Sequence, residues 1–360
     1  MDSSHDYINL TTMALHIELL KKVCITPGAP GREERIRKVV MEEVAPLVDE
    51  SYVDKMGNFI AIKRGRSSEK KIMAAAHLDE ISFIITHIEK DGFGRFHTLG
   101  GFDPKTLTAQ RVIVHGKEDI VGVMGSKPIH LMSSAERTKA PKIQDYFIDF
   151  GMSGDKVKEI VSVGDVVTRE RDLIEMGDCV STKSLDNRIS VFILIEALRN
   201  METPAYDFYA VFTVQEEVGI RGAIVATSQI DPDFGIGLDV TIANDVPGAQ
   251  DHQKITILGK GTAIKIMDSS VICDNRMVRF MKAVSERNNI PYQLEILTGG
   301  GTDTAAIQRS GRTGAIAGCI SIPTRHIHSV VETANKEDIQ ASIDLLTKSV
   351  EEMDQFDYNW

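Results

Sequence analysis

Two adjacent carboxylates, Glu216 and Glu217, close the stretch FTVQEE at the end of an otherwise apolar run. Neighbours on an extended segment point to opposite sides, and two like charges at a buried strand end are costly unless something binds them. Other acidic and imidazole groups stand in similar places. AAAHLDE carries His77 and Asp79 after an apolar run, FGIGLD ends in Asp239, and PTRHIH ends in His326 and His328. Asp186, in SLDNR, stands at the start of a helical pattern, near a helix N-terminus.

Histidines and carboxylates gathered on one rim can hold divalent metal. Imidazole and carboxylate suit zinc, cobalt or manganese, and no thiolate is among the candidates. The number of donors points to two ions, with one carboxylate bridging and an open position left for water. Singly, each group has a plainer use. A strand-end histidine is more often structural, Asp186 could be a helix N-cap, and Asp239 could be a turn residue. His77 gains weight from Asp79 two residues on, which could hold the second imidazole N–H. The pair Glu216-Glu217 is harder to explain without a cation.

Those groups need a frame. KKIMAAAHLDEISFII reads as one strand covered on both faces. YDFYAVFTVQEE, FGIGLDVT, YQLEIL and GAIAGCISIP also read as strands. Gly28–Val48, the stretch after Ser184, SSVICDNRMVRFMKAVSERNNI and the segment from Thr333 to Phe356 have helical spacing, with Ser184 as N-cap of the second. Between Thr86 and Gly177 the texture changes to short β-like runs divided by glycines, with one short helical segment near Asp155–Ile160. The expected fold is α/β: a mixed, mostly parallel sheet with helices on both faces, formed by residues 1–85 and 178–360 and interrupted by a small β-barrel-like insertion at 86–177. In open α/β sheets ligands gather at the carboxyl ends of strands, where the candidate residues stand.

Composition narrows the partners. The 360 residues carry 41 Lys and Arg against 52 Asp and Glu, a formal charge of −11, which disfavours nucleic acid. The N-terminal stretch, with Asp2, His5 and Asp6, lacks the apolar run of a secretory signal, and no segment is long enough to span a bilayer. Cys24, Cys179, Cys273 and Cys319 are scattered, as free thiols in a reducing cytoplasm would be. The glycine-rich GGGTD (Gly299–Asp303) lacks the P-loop lysine, so it reads either as an anion-cradling pocket loop or as a tight turn.

The ordered set His-x-Asp, Asp, Glu-Glu, Asp, His resembles the co-catalytic two-metal peptidases. The stretches PGAPGREE, DKMGNFIA, AAHLDEISFII, GSKPIHLM, DYFIDFG, SLDNRIS, VQEEVGIRGA, GLDVT, GGGTDTAAI and PTRHIHS are similar to the M42 family of aminopeptidases. They run from Pro27 to Ser329, nearly the whole chain. The resemblance implies that His77, Asp186 and Asp239 hold one metal, and that Asp186, Glu217 and His328 hold the other. It implies Glu216 as general base and Asp79 as the group that orients His77. His326 receives no role. The implied reaction removes the N-terminal residue of short peptides through a metal-bridging water activated by Glu216. Zinc or cobalt are the expected ions. The implied assembly is a homo-oligomer, from a dimer built through the insertion up to a tetrahedral dodecamer.

Three rivals remain open to test. An M20-like carboxypeptidase or deacylase would use the same metals, but that family keeps its extra domain after the third carboxylate position, whereas here the insertion precedes Asp186. A glycosidase would use two carboxylates about 5–10 Å apart on opposite sides of the bond, an arrangement poorly served by sequence neighbours. A non-catalytic assembly protein would have a closed structural metal site, commonly with cysteine.

Overall fold

The computed structural model describes residues 15–359. Asp2, His5 and Asp6 lie outside the described residues. An 11-stranded sheet forms the frame. Its centre is four parallel strands in the order Tyr206–Thr213, Ser67–His77, Phe234–Ile242 and Ile316–Arg325. Antiparallel strands extend it on both sides, including Phe59–Lys63 beside Tyr206–Thr213 and Glu332–Asn335 beside Ile316–Arg325.

The apolar run of the Ser67–His77 strand explains its central place. Ile72, Ala74 and Ala76 belong to the main core on one face, and Met73 and Ala75 to a smaller core on the other. Alternate residues of a strand face opposite ways, so both faces need cover. The helix Leu185–Asn200, buried from Leu185 to Leu198, covers the first face with Lys336–Glu352 packed against it. Arg221–Ile230 and Asp303–Arg309 cover the second through Ala226, Ile230 and Ile307. Asp303–Arg309 sits directly on the sheet: a Cβ at Gly237 would lie 1.9 Å from Thr304 Oγ1, so only glycine permits the approach.

Six strands close into a separate barrel: Ser82–Ile88, Phe93–Leu99, Arg111–His115, Asp119–Ser126, Tyr146–Asp149 and Val166–Arg169. Its core holds Phe83, Ile85, Val112, Val114, Ile148 and Val167.

Several local expectations change. KKIMAAAHLDEISFII is two strands in two different sheets, ending at His77 and restarting at Ser82. The apolar run continues across the break because Leu78 and Ile81 are themselves buried at the junction. DVVTRERDLIEMG, one of the short β-like runs before Gly177, is also two strands: Val166–Arg169 closes the barrel, while Ile174–Met176 pairs at the far edge of the large sheet. Within Gly28–Val48 the α-helix covers Glu34–Val44 and a 3-10 turn follows over Ala45–Leu47; the helix starts late because Ala29 and Arg32 form a bridge with Gly31 at φ 76° between them. Ser184 is not a capping side chain. It has φ 60°, and its hydroxyl donates to the Glu80 carboxylate at 2.5 Å.

Candidate metal centre

Strand register brings the site together. His77 is level with Thr213 across one parallel pair. Gly237 is level with Ala75 across the next, so Asp239 and His77, each two residues further on, share one rim and one face. The loop after Thr213 delivers Glu216 and Glu217, and the loop after Arg325 delivers His328 at φ 65°. Asp186 precedes the regular part of its helix: Asp186 and Asn187 have non-helical dihedrals, and the peptide bond between them is cis.

The side chains converge in two overlapping groups. Donor atoms of His77, Asp186 and Asp239 lie within 4.8 Å of one another, and so do those of Asp186, Glu217 and His328. His77 Nε2 is 3.3 Å from Asp186 Oδ1 and 4.0 Å from Asp239 Oδ1. His328 Nε2 is 3.3 Å from Asp186 Oδ2 and 3.8 Å from Glu217 Oε2. Glu216 Oε2 stands 3.9 Å from His77 Nε2 and is in neither group. His326 is exposed and also in neither.

Asp79 acts through both its backbone and its carboxylate. Its carbonyl oxygen lies 3.0 Å from His77 Nδ1, and a carbonyl can only accept, so Nδ1 carries the proton and Nε2 turns to the centre. Its carboxylate is 3.6 Å from the ring and instead takes the backbone N–H groups of Glu216 and Glu217, each at 3.0 Å. Buried Glu33 accepts the preceding N–H, that of Gln215, at 3.2 Å. Three successive amides are thereby held by two carboxylates, with Gln215 at φ 56°. This fixes how the Glu216-Glu217 pair is presented.

Sequence reasoning missed three further groups. Glu332 accepts the Asp186 N–H at 3.0 Å with one oxygen and the His328 N–H at 2.8 Å with the other. Buried Arg169, from the last barrel strand, donates to the His328 carbonyl at 3.1 Å. Gly100 packs so close that a Cβ there would lie 3.1 Å from Glu217 Oε2. The only sequence signal for Glu332 was a charge four residues after His328 in an otherwise uncharged strand.

The electrostatics describe a site short of positive charge. Burial raises the carboxyls of Glu216, Glu217 and Asp239 well above their usual range. Neighbouring carboxylates add to this, Asp239 acting on Glu216 and Asp186 on the other two, while His77 opposes it. Burial also lifts Glu332 to about 7 and Asp303 to about 6. For His77, burial alone would lower the pKa, but the carboxylates of Asp186, Asp79 and Glu216 around the ring outweigh it and raise it well above the usual value. Among the described residues, Asp186, Glu216, Glu217 and Asp239 have only histidines as ion-pair partners.

A cleft of about 610 Å³ opens from these groups, with Gly299, Gly300 and Gly301 along one side. The first four residues of GGGTD therefore line the cleft. The fifth, Asp303, is buried and accepts the Thr213 hydroxyl at 2.5 Å. The four cysteines are free, and no described helix is long and apolar enough to cross a membrane.

Residues 57–345 match the model of the M42 glutamyl aminopeptidase family. The lysyl aminopeptidase of Pyrococcus furiosus is 35% identical over 351 residues, covering 95% of this chain and 98% of its own. The aminopeptidase APDkam598 of the archaeon Desulfurococcus kamchatkensis superposes with a TM-score of 0.90 at 38% identity, over 93% of this chain and 94% of its own. The TET1 peptidase of Pyrococcus horikoshii, described as assembling into a tetrahedron or a large octahedral shell, gives 0.83 at 33% identity, over 93% and 99%. The chain therefore belongs to the M42 peptidase family, and it is an aminopeptidase.

Proposed function

We propose that the protein removes the N-terminal residue of short peptides at a two-metal centre in which Glu216 carries the proton. The observation that carries this reading is the pair of donor groups sharing Asp186, one oxygen toward each. His77, Asp186 and Asp239 would hold one divalent ion, and Asp186, Glu217 and His328 the other. The residues fit such ions. The donors are imidazole and carboxylate, the four carboxylates have no Lys or Arg ion-pair partner among the described residues, and buried Glu217 Oε1 has no hydrogen-bond partner there. Zinc or cobalt suits the set. When bound, such ions supply a water that ionises near neutral pH and a Lewis acid for the peptide carbonyl.

The chain's own residues supply the rest. Glu216 lies beside the donors without belonging to them, within reach of a water held between them, the position a general base needs. It takes the proton of the attacking water and delivers it to the leaving amine. Asp79 keeps it in place through the backbone, whatever its own charge.

Peptides with free and with acetylated N-termini, each with and without EDTA, test this reading. The free peptide should lose one residue at a time, and EDTA should abolish the reaction. Preferential hydrolysis of N-acyl amino acids would mark a deacylase instead, and glycoside hydrolysis that survives EDTA would mark a glycosidase.

Two further outcomes are expected. An acid whose folded pKa is raised stabilises the fold below its unfolded pKa and loses that contribution as pH rises through the folded value. With Glu216, Glu217 and Asp239 all raised, the metal-depleted protein should melt at falling temperature as the pH rises above the ordinary carboxylate range, about pH 4. Added zinc should restore most at the upper end, and a flat profile would contradict this. The second outcome concerns Glu332, whose two oxygens each accept an N–H of a ligand residue. In Glu332→Gln one of those N–H groups faces an NH₂, so metal affinity should fall about 10–100-fold, as read by chelator competition.

Homo-oligomerisation belongs to the same proposal. Val121, Val123, Ile129 and Leu131, on a barrel strand and the turn after it, are 50–70% exposed. Clustered apolar exposure commonly marks an interface. We expect a dimer or a larger shell, up to a tetrahedral dodecamer, on the pattern of TET1 structures described as a dodecamer and as a tetrahedron. Light scattering at a monomer mass would contradict it.

A further inference from the structure

We infer that the cleft selects a neutral, aliphatic side chain at the first residue of the peptide, an inference that rests on the two-metal aminopeptidase reading above. Beyond the metal donors, the apolar wall is made by Ile220, Val240, Leu297 and Ile327. The glycine loop closes against it: a Cβ at Gly301 would meet Ile220 Cδ1 at 3.7 Å.

The charged groups of this wall are buried against one another, one lysine between two carboxylates. Outside the candidate metal site, the charged residues lining the cleft are Lys265 and Asp268, whose side chains are 1% and 0% exposed. Lys265 Nζ lies 2.7 Å from Glu295 Oε1 and 3.3 Å from Asp268 Oδ2. Asp268 Oδ1 accepts the N–H groups of Ser270 and Val271 and the Ser270 hydroxyl, at 2.7, 3.0 and 2.7 Å. Thr302 donates to Asp268 Oδ2 at 3.3 Å, and Thr241 donates to buried Glu295 at 2.7 Å. A lysine, arginine, aspartate or glutamate side chain entering here would leave water with no exposed counter-charge on this wall, which is unfavourable. An aliphatic chain would gain by covering the isoleucines and leucine. The cleft, at about 610 Å³, is within the usual size for a small-molecule site.

The test is a panel of p-nitroanilides of Leu, Met, Lys, Arg and Glu with the metal-loaded full chain, together with inhibition by free Leu, Lys and Glu. We expect kcat/KM for Leu or Met to exceed that for each charged residue by at least about tenfold, as apolar pockets discriminate. Free Leu should inhibit at the lowest concentration. In Leu297→Glu the Lys-to-Leu ratio should rise about tenfold. Turnover with Lys, Arg or Glu preferred would overturn the selectivity and leave the two-metal reading standing. No turnover of any aminoacyl substrate would overturn both. An unchanged ratio in Leu297→Glu would remove Leu297 from the wall and overturn the assignment.

Discussion

Glu216→Gln is expected to lower kcat about 10²–10⁴-fold with KM little changed and both metals retained. The substitution removes a proton acceptor and little else. Glu216 is outside both donor groups, and its contact with Asp79 runs through the backbone N–H, which glutamine keeps. The loop is also held at Gln215 and Glu217, so it has no reason to move. Kinetics and elemental analysis on the same sample check this. Near wild-type turnover would show that another group carries the proton.

Asp186→Ala should have the larger effect on metal. Asp186 is the residue common to both donor groups, and His77 and His328 would each lose a partner now 3.3 Å away. Its backbone N–H would still donate to Glu332, so the local chain path has support without the side chain. Affinity for both ions should fall by more than about 100-fold, beyond what loss of an outer hydrogen bond costs. Activity should fall to that of EDTA-treated protein. Asp239→Asn should instead weaken one ion selectively, because Asp239 belongs to one group alone. Two tightly bound ions in Asp186→Ala would show that the carboxylate does not bridge.

Much of the frame was legible because it rests on patterns sequence displays directly. The continuous apolar run Ile72–Ala76, buried on both faces, and the glycine-punctuated runs after Thr86 separate a covered α/β sheet from a barrel. The donor residues were visible for a related reason: charged groups after apolar runs stand out, and parallel register makes them level. What escaped notice works through backbone amides. Glu33, Glu332 and the Asp79 carboxylate accept N–H groups of other segments, and such contacts leave no spacing to read. Arg169 was hidden among the charges of TRERD, and it is buried where the last barrel strand meets the His328 loop. The junction at Leu78–Ile81 was hidden because buried Leu78 and Ile81 carry the apolar pattern on either side of Asp79 and Glu80, which are buried as well. Ser184 looked like a cap because caps and buried hydroxyls use the same side chain; its partner, Glu80, lies 104 residues away.

The most direct measurement is anomalous scattering from a crystal of the zinc-loaded protein at the zinc edge. The account predicts two peaks per chain, one among His77, Asp186 and Asp239 and one among Asp186, Glu217 and His328. A single peak, or peaks away from these side chains, would contradict it.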